Sequence, residues 1–165
     1  MVRLGFQIAV LTFAADRATK WLALEVWDLP ARSPIRITPF FNLWMTWNSG
    51  VSFGMFQSNS SAAAWLLVGF AVAVSAALAV WLTRTRSVLL GVALGFVIGG
   101  ALGNALDRVL WGRVADFLDL HRGTWHWPVF NVADAAIVAG FALIVLDGFV
   151  TKRRAPAGPA GPGTP

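Results

Sequence analysis

The chain has no cysteine, only two histidines and few charged side chains, which make up 13% of its 165 residues. The absence of cysteine excludes disulfides, thiolate metal sites and a cysteine nucleophile. The histidines, His121 and His126, lack the spacing of a metal site, and we expect them in a loop at a membrane interface, near tryptophans. The basic residues behind the net charge of +5 are dispersed or flank apolar runs, so no nucleic-acid partner is expected.

Long apolar runs explain the shortage of charge, since a soluble domain of this length carries about a quarter charged residues. Residues 62–82 and 88–106 have no charged side chain, and residues 129–146 have one. A further run, residues 4–24, is interrupted by charges late in its course and is expected to be retained rather than cleaved. Because a helix of about 20 apolar residues crosses a bilayer core, we predict a mainly α-helical membrane protein with four transmembrane helices. The predicted spans are approximately residues 4–24, 62–82, 88–106 and 129–150.

These spans predict one integral-membrane domain over residues 1–154, followed by a disordered tail, residues 155–165, rich in proline, glycine and alanine. Four spans place both termini on one side, and basic residues crowding the span ends there identify it as the cytoplasm. Those residues are Arg3, Arg84, Arg86, Lys152, Arg153 and Arg154. The long connections, about 25–61 and 107–128, then lie outside the cytoplasm, where function is expected.

Alternating residues in the first long connection predict short strands. Residues 35–38 and 41–47 alternate between apolar and polar with a period of two, and Pro39 and Phe40 interrupt them. Their apolar face would rest on the bilayer or on a bound peptide.

Polar residues inside apolar spans need a reason, because each ionisable group costs about 2.5–3.5 kcal/mol on insertion-based scales. Asp16 and Lys20 are four residues apart and share a helix face, so they can pair, most simply as an ion pair at the membrane interface. Further along, residues 48–54 include Asn48 and Gly50 and predict either a plain turn or a backbone segment that approaches a ligand closely.

The third span ends in a stripe of small and polar residues. Gly99 and Gly100 allow close helix packing. Asn104 and Arg108 follow on one helix face, which favours a polar pocket over an arginine that merely reaches toward water.

Two aspartates stand at the ends of neighbouring apolar runs. Asp116 follows the third span, and Asp134 begins the fourth, 18 residues later. Two carboxylates at similar depth cannot both ionise cheaply, so they would share a proton, as the pair of an aspartic protease does. A proton relay or a helix-capping aspartate is an equally good interpretation of the spacing.

Taken together, these clusters resemble the lipoprotein signal peptidase family (signal peptidase II), in the family's order along nearly the whole chain. The matching motifs are Asp16-x-x-x-Lys20, Asn48-x-Gly50 with Phe53-Gly54, Gly99-Gly100-Ala101-Leu102-Gly103-Asn104 with Asp107-Arg108, Val114-x-Asp116-Phe117, and Phe130-Asn131-x-Ala133-Asp134. The chain departs from the family pattern at Val51 and Ser52, where small residues are usual, and at Ala135, where serine is frequent. These departures bear on substrate fit rather than on chemistry.

The resemblance implies four transmembrane helices, a small extracytoplasmic β-cradle and a short extracytoplasmic helix, in the bacterial cytoplasmic (inner) membrane. It implies an intramembrane aspartyl endopeptidase that uses no metal or other cofactor. Its substrates would be prolipoproteins carrying a diacylglyceryl-cysteine, cut just before that cysteine. Membrane lipids would be its other partners, and we expect a monomer with its active site toward the outer face.

The resemblance also implies residue roles. Asp116 and Asp134 would be the catalytic pair. The supporting residues would be Asp16, Lys20, Asn48, Gly50, Gly100, Asn104, Arg108 and Asn131.

Two other functions compete with the peptidase. A small proton-coupled transporter would use the buried Asp and Lys residues as a relay, although such a relay needs charges through the membrane depth. A structural assembly factor would use only the glycine-rich third span for packing.

Overall fold

The computed structural model describes residues 1–50 and 61–154. The helices are α1 (Val2–Trp21), α2 (Leu29–Arg32), α3 (Ser61–Arg84), α4 (Val88–Trp111) and α5 (Val132–Arg154), and the strands are β1 (Ile35–Thr38), β2 (Phe41–Asn48), β3 (Val114–Arg122) and β4 (Trp125–His126). A π-helical turn, Leu22–Val26, extends α1. The predicted tail and residues 51–54 of the glycine-containing segment lie outside the described residues.

Helix α4 is the centre of the helical bundle and packs against α1, α3 and α5. In its most apolar 18-residue window, 56% of the residues are buried within the protein, compared with 11% in the corresponding windows of α3 and α5. The two outer helices therefore present most of their apolar surface to the surroundings, as helices in a bilayer do.

Glycines in α4 let the neighbouring helices approach closely. A Cβ atom at Gly95 would collide with the backbone oxygen of Gly5 in α1, and one at Gly99 with that of Ala9. On the other side, a Cβ at Gly140 of α5 would collide with the backbone oxygen of Ala93. The predicted close packing of the third span is confirmed.

Three of the described helices, α3, α4 and α5, are long and apolar enough to cross a membrane. The N-terminal segment is helical, as predicted, but α1 is not among them. The last helix begins at Val132 rather than at residue 129, because Asn131 occupies its N-cap.

The four strands form one antiparallel sheet in the order β1–β2–β3–β4. The two strands predicted in the first long connection are confirmed as β1 and β2. The second connection was predicted to start at about residue 107, but α4 continues to Trp111, and two strands that the sequence analysis did not predict, β3 and β4, follow. His121 and His126 consequently lie on paired strands rather than in a loop, where their rings stack.

The strand register gives the sheet two unlike faces. Ile35, Leu43 and Leu118 form one cross-strand row, which packs with Leu29 of α2 and Ala23 of the π-helical turn. The adjacent row, on the opposite face, consists of Arg36, Asn42 and Asp119. One face thus joins the sheet to the helical part, and the other is polar.

Candidate active site

Asp116 and Asp134 are brought together by a strand and a helix that leave the same end of the bundle. Gly112 ends α4 with a left-handed backbone (φ 70°), and its N–H donates to the Arg108 carbonyl. This turn directs β3, which carries Asp116, back along β2. Asp134 lies in the first turn of α5.

Asn131 connects the two carboxylates. Its Nδ2 donates to Asp116 Oδ1 at 2.7 Å, and its Oδ1 accepts from the Asp134 backbone N–H at 2.9 Å. In return, the Asn131 backbone N–H donates to Asp134 Oδ2 at 3.2 Å. The last two bonds form a capping box, in which N-cap and third residue satisfy each other's backbone donors. The helix-capping interpretation of Asp134 is therefore correct, and it coexists with proximity to Asp116.

Two further asparagines complete the hydrogen bonding of the carboxylates. Asn104 Nδ2 of α4 donates to Asp134 Oδ1 at 2.8 Å, and Asn48 Nδ2 of β2 donates to Asp116 Oδ2 at 3.1 Å. Asn104 Oδ1 accepts from both Asn131 Nδ2 (3.1 Å) and Lys20 Nζ (3.0 Å). Each carboxylate oxygen thus has one amide donor, and within the described part of the chain no cationic side chain forms an ion pair with either aspartate.

Arg108 holds the end of the β2 segment next to the pair. Its Nη2 donates to the Gly50 carbonyl at 2.6 Å, and its Nη1 donates to the Asn104 carbonyl at 3.2 Å. The Gly50 N–H in turn donates to Asn48 Oδ1 at 3.0 Å, which orients the Asn48 amide toward Asp116. The guanidinium therefore acts on the peptide backbone rather than reaching for solvent.

A buried ion cluster lies behind the site. Lys20, 1% exposed, contacts Asp16 Oδ2 at 3.0 Å and Asp107 Oδ2 at 2.6 Å, and Arg17 pairs with both carboxylates. The predicted pair of Asp16 and Lys20 is confirmed, and both side chains lie inside the protein rather than on the surface of α1. The pair can be buried because Asp107 and Arg17 join it, so that two carboxylates face two cations and no charge is left unpaired.

The two carboxylates of this cluster also hold the backbone directly before each candidate catalytic residue. Asp107 Oδ2 accepts from the N–H of Ala115, and Asp16 Oδ1 accepts from the N–H of Ala133, each at 3.2 Å. The cluster therefore fixes the starts of β3 and α5 relative to each other.

Gly100 and Gly103 leave the space that this arrangement needs. A Cβ atom at Gly100 would lie 2.5 Å from the Ala133 carbonyl oxygen, and one at Gly103 would lie 2.5 Å from Asp16 Oδ2. Either substitution would push α5 or Asp16 away from α4.

The proton affinity of Asp116 is unusual for a carboxylate. Burial, with a further contribution from the nearby charge of Asp134, raises the pKa of Asp116 to about 7. The amides of Asn48 and Asn131 and the charge of Lys20 oppose this rise. At neutral pH the Asp116 carboxyl is accordingly divided between its protonated and ionised forms.

A largely apolar groove of about 470 Å³ opens beside Asp134. One wall is a stripe of α5, and the other includes Leu120 of β3 and the segment from Trp127 to Phe130. The α5 stripe consists of Ala135, Val138, Ala139 and Ala142. An extended apolar ligand in this groove would reach the carboxylate at its end.

Hydrogen bonds and one ion pair link nine of the ten sequence-predicted residues, and the tenth, Gly100, packs directly against the Ala133 carbonyl oxygen. Three participants were not predicted as site residues: Arg17, Asp107 and Gly103. Asp107 stands three residues after Asn104, which puts both on nearly the same helix face, and this spacing could have identified it. Within residues 1–50 and 61–154 there is no cluster of three or more His, Cys, Asp or Glu residues suited to a metal ion.

The sequence of the chain matches a known protein family. The family model of signal peptidase (SPase) II matches residues 8–150. The chain belongs to the signal peptidase II family. Two relatives named lipoprotein signal peptidase, from Methylobacterium sp. (strain 4-46) and Methylorubrum extorquens (strain PA1), are 49% and 47% identical to it. The alignments cover 93% and 94% of this chain and 93% and 91% of the relatives. The family resemblance predicted from the motifs is confirmed.

Two solved structures have a fold similar to that of this chain. A bacterial membrane enzyme determined by the in meso method at 2.3 Å resolution superposes with a TM-score of 0.78 at 25% identity, covering 93% of this chain and 92% of that one. A second, at 1.9 Å resolution, gives a TM-score of 0.67 at 26% identity, covering 87% and 90%.

Proposed function

We propose that this protein is an intramembrane aspartic endopeptidase that removes the signal peptide from prolipoproteins, with Asp116 and Asp134 as its catalytic pair. Membership in the signal peptidase II family and the names of its relatives support the reaction. The observation that carries the residue assignment is the double role of Asn131, which hydrogen-bonds to both aspartates and keeps them at one buried site.

The pair would work with one shared proton. The ionised carboxylate accepts a proton from water, whose oxygen attacks the carbonyl carbon, while the protonated carboxyl donates to the carbonyl oxygen. The tetrahedral intermediate then collapses: one of its hydroxyl groups returns a proton to the ionised carboxylate as the C=O bond re-forms, the C–N bond breaks, and the leaving nitrogen takes a proton from the protonated carboxyl. The pKa of Asp116, about 7, supports this scheme because such a group exchanges protons readily near neutral pH.

The apolar groove beside Asp134 supports a lipid-anchored, apolar substrate. Its small side chains on α5, Ala135, Ala139 and Ala142, leave room for an extended chain. We assign this groove to the apolar part of a prolipoprotein that carries a diacylglyceryl-cysteine, positioned so that the bond before that cysteine meets the carboxylates.

We propose that α1 is a fourth span of a single domain, residues 1–154, in the bacterial inner membrane. The charges of Asp16, Arg17 and Lys20 in α1 pair with one another and with Asp107 inside the protein, so a span formed by α1 would not present them unpaired to lipid. Both termini would be cytoplasmic and the active site would face outward, as the basic residues at the span ends favour. A monomer is sufficient, because one chain supplies the whole network.

The transporter alternative finds no support in these contacts. The ion-paired charges of α1 and α4 form one cluster, and residues 62–82 of α3 carry no charged side chain that could continue a relay across the membrane. The family membership also points to hydrolysis.

The test is cleavage of a diacylglyceryl-modified precursor, followed by gel shift, with Asp116→Asn and Asp134→Asn. Each variant keeps the size of the side chain and removes the ability to exchange a proton, so we expect a loss of at least about 1,000-fold in kcat. Asp28→Asn is the matched control, because Asp28 is exposed and has a left-handed backbone (φ 49°) that asparagine tolerates. Substantial turnover by either active-site variant would reject the assignment.

A further inference from the structure

One wall of the apolar groove includes the connecting segment, residues 127–130, which runs from β4 to α5. All four of its residues line the groove. The far end of the segment is fixed, because the Phe130 N–H donates to the Leu118 carbonyl at 3.1 Å and the capped start of α5 follows directly. At the near end, the Trp127 N–H donates to the Leu120 carbonyl at 2.8 Å. The position of this near end depends on β4, which precedes it.

The backbone pairing of β4 is short. The strand consists of Trp125 and His126, both exposed. Its partners in β3 are Arg122 and His121, which it reaches through a two-residue turn. Isolated hairpins are marginally stable in water at best, and this one has two residue pairs. A side-chain contact between β4 and β3 therefore strengthens a weak backbone attachment.

Asp119 of β3 makes such a contact. Its carboxylate is fully buried, with Oδ1 at 2.8 Å from His126 Nδ1, while Oδ2 accepts from Asn42 Nδ2 at 2.9 Å. Because a carboxylate only accepts, the Nδ1 atom of His126 carries the hydrogen of this bond. Loss of a donor to a buried charged group costs about 1–3 kcal/mol or more, so this contact is stronger than an ion pair on the surface.

Two neighbouring rings keep the His126 imidazole in the orientation that this contact requires. The His121 ring stacks on it with the centroids 5.1 Å apart, and Trp44 of β2 meets it edge to face at 5.6 Å. Trp127, the first residue of the connecting segment, directly follows His126 in the chain. Holding the ring therefore holds the backbone at the point where the connecting segment begins.

We propose that Asp119 and His126 are positioning residues for substrate binding, which hold the connecting segment against the groove so that it contacts the apolar part of the substrate. This inference rests on the proposed peptidase function, because that function assigns the groove to the substrate. Asp119 belongs to the polar row of the sheet with Asn42, on the face opposite the row of Leu118. The contact therefore acts on substrate binding rather than on proton transfer.

The experiment measures KM and kcat separately for cleavage of a diacylglyceryl-modified precursor. His126→Ala removes the donor to Asp119, so we expect KM to rise about tenfold with kcat unchanged. His126→Asn supplies a donor again, because an asparagine Nδ2 atom takes nearly the position of the imidazole Nδ1. This variant should bring KM most of the way back to the wild-type value.

His121→Phe is the matched control. It changes the same residue type in the same hairpin, keeps the ring that stacks on His126, and removes ring nitrogens that have no partner among the described residues. KM should stay at the wild-type value. An equal rise of KM in His121→Phe and His126→Ala would overturn the proposal. A fall of kcat at unchanged KM, or a His126→Asn variant no better than His126→Ala, would overturn it too.

Hydrogen exchange of the same variants distinguishes failure of this proposal from failure of the proposed function. In His126→Ala, the Trp127 N–H should exchange about tenfold faster than in the wild type, and in His126→Asn at nearly the wild-type rate. If the wild type does not cleave the precursor, the peptidase function fails, and exchange alone decides the positioning role. Unchanged exchange of Trp127 in His126→Ala would overturn that role, and faster exchange would support it.

Discussion

The site has a strand half, around Asp116, and a helix half, around Asp134. The backbone before each aspartate is held in the same way, but the two carboxylates are held by different kinds of hydrogen-bond donor. In each half, a carboxylate of the buried ion cluster accepts from the residue before the aspartate: Asp107 from Ala115, and Asp16 from Ala133. Beyond that, a backbone N–H at the cap of α5 holds the Asp134 carboxylate, whereas the donors to the Asp116 carboxylate among the described residues are the side-chain amides of Asn48 and Asn131.

Because of this difference, the helix half mainly fixes the position of Asp134, whereas the strand half mainly sets the pKa of Asp116. The helix cap ties Asp134 to the backbone of a long helix, so its position cannot change without unwinding the first turn of α5. Asp116 depends on Asn48 and Asn131, whose amides also oppose the rise of its pKa. The strand half is therefore the adjustable one, and changes there should alter pH dependence before they alter folding.

The largest expected effect on stability and activity comes from disrupting the buried ion cluster, which anchors both halves of the site. Lys20→Met leaves the buried carboxylates Asp16 and Asp107 with only Arg17 as a cation, and uncompensated buried charge costs about 3–5 kcal/mol. We expect a fall in melting temperature of about 10 °C and a loss of cleavage of at least about 100-fold. Thermal unfolding in micelles and the precursor gel shift measure the two.

A double variant checks this explanation. Adding Asp16→Asn to Lys20→Met removes one of the uncompensated charges, so part of the stability should return. If the double variant is less stable than Lys20→Met by the full cost of a second change, charge compensation is not what Lys20 supplies.

An intermediate effect should follow from disturbing the helix half alone. In Gly103→Ala, the new methyl group would meet Asp16 Oδ2 and displace the anchor of Ala133. Such overpacking costs about 1–3 kcal/mol, so we expect a melting temperature about 5 °C lower and cleavage reduced by about tenfold. The control is Gly69→Ala in α3, where a Cβ would meet no atom within 4 Å. Equal effects of the two variants would contradict the anchoring role of Asp16.

The smallest effect is expected from a change confined to the strand half, and it should appear in the pH dependence of kcat. Because the Asn48 amide stabilises the ionised form of Asp116, Asn48→Ala should raise the pKa of Asp116 above its value of about 7. Activity requires the last shared proton, so the alkaline limb of the kcat profile should move to higher pH, by about one pH unit. Melting temperature should change little. A limb that moves to lower pH would mean that Asn48 does not act on the ionised form.

Local sequence patterns predicted much of the fold for identifiable reasons. The spans depend on runs of apolar residues, and β1 and β2 on strict alternation, both of which are local properties. Strand β3 alternates poorly: its first four residues, Val114, Ala115, Asp116 and Phe117, are all buried. From sequence alone, an aspartate in such a segment favours a loop over a buried strand. The amides of Asn48 and Asn131, which hydrogen-bond to the buried Asp116 carboxylate, belong to distant segments and are not visible in the local pattern.

The site itself was predicted through family motifs rather than through geometry. The spacing of Asp16 and Lys20 indicated a pair but not its burial, since Asp107, the residue that completes the compensation, is 87 positions after Lys20. The same limit applies to Gly103. Its need to remain glycine depends on Asp16 of another helix, and no pattern within α4 contains that information.

The position of Asn131 has a consequence for how the protein is made. Asn131 caps the N-terminus of α5, and α5 follows α1, β2, α4 and β3 in chain order. During synthesis and membrane insertion, every other contributing element emerges from the ribosome first, and none of them alone pairs the two carboxylates. The proposed catalytic pair of Asp116 and Asp134 therefore cannot assemble until the first turn of α5 has been synthesised and has folded.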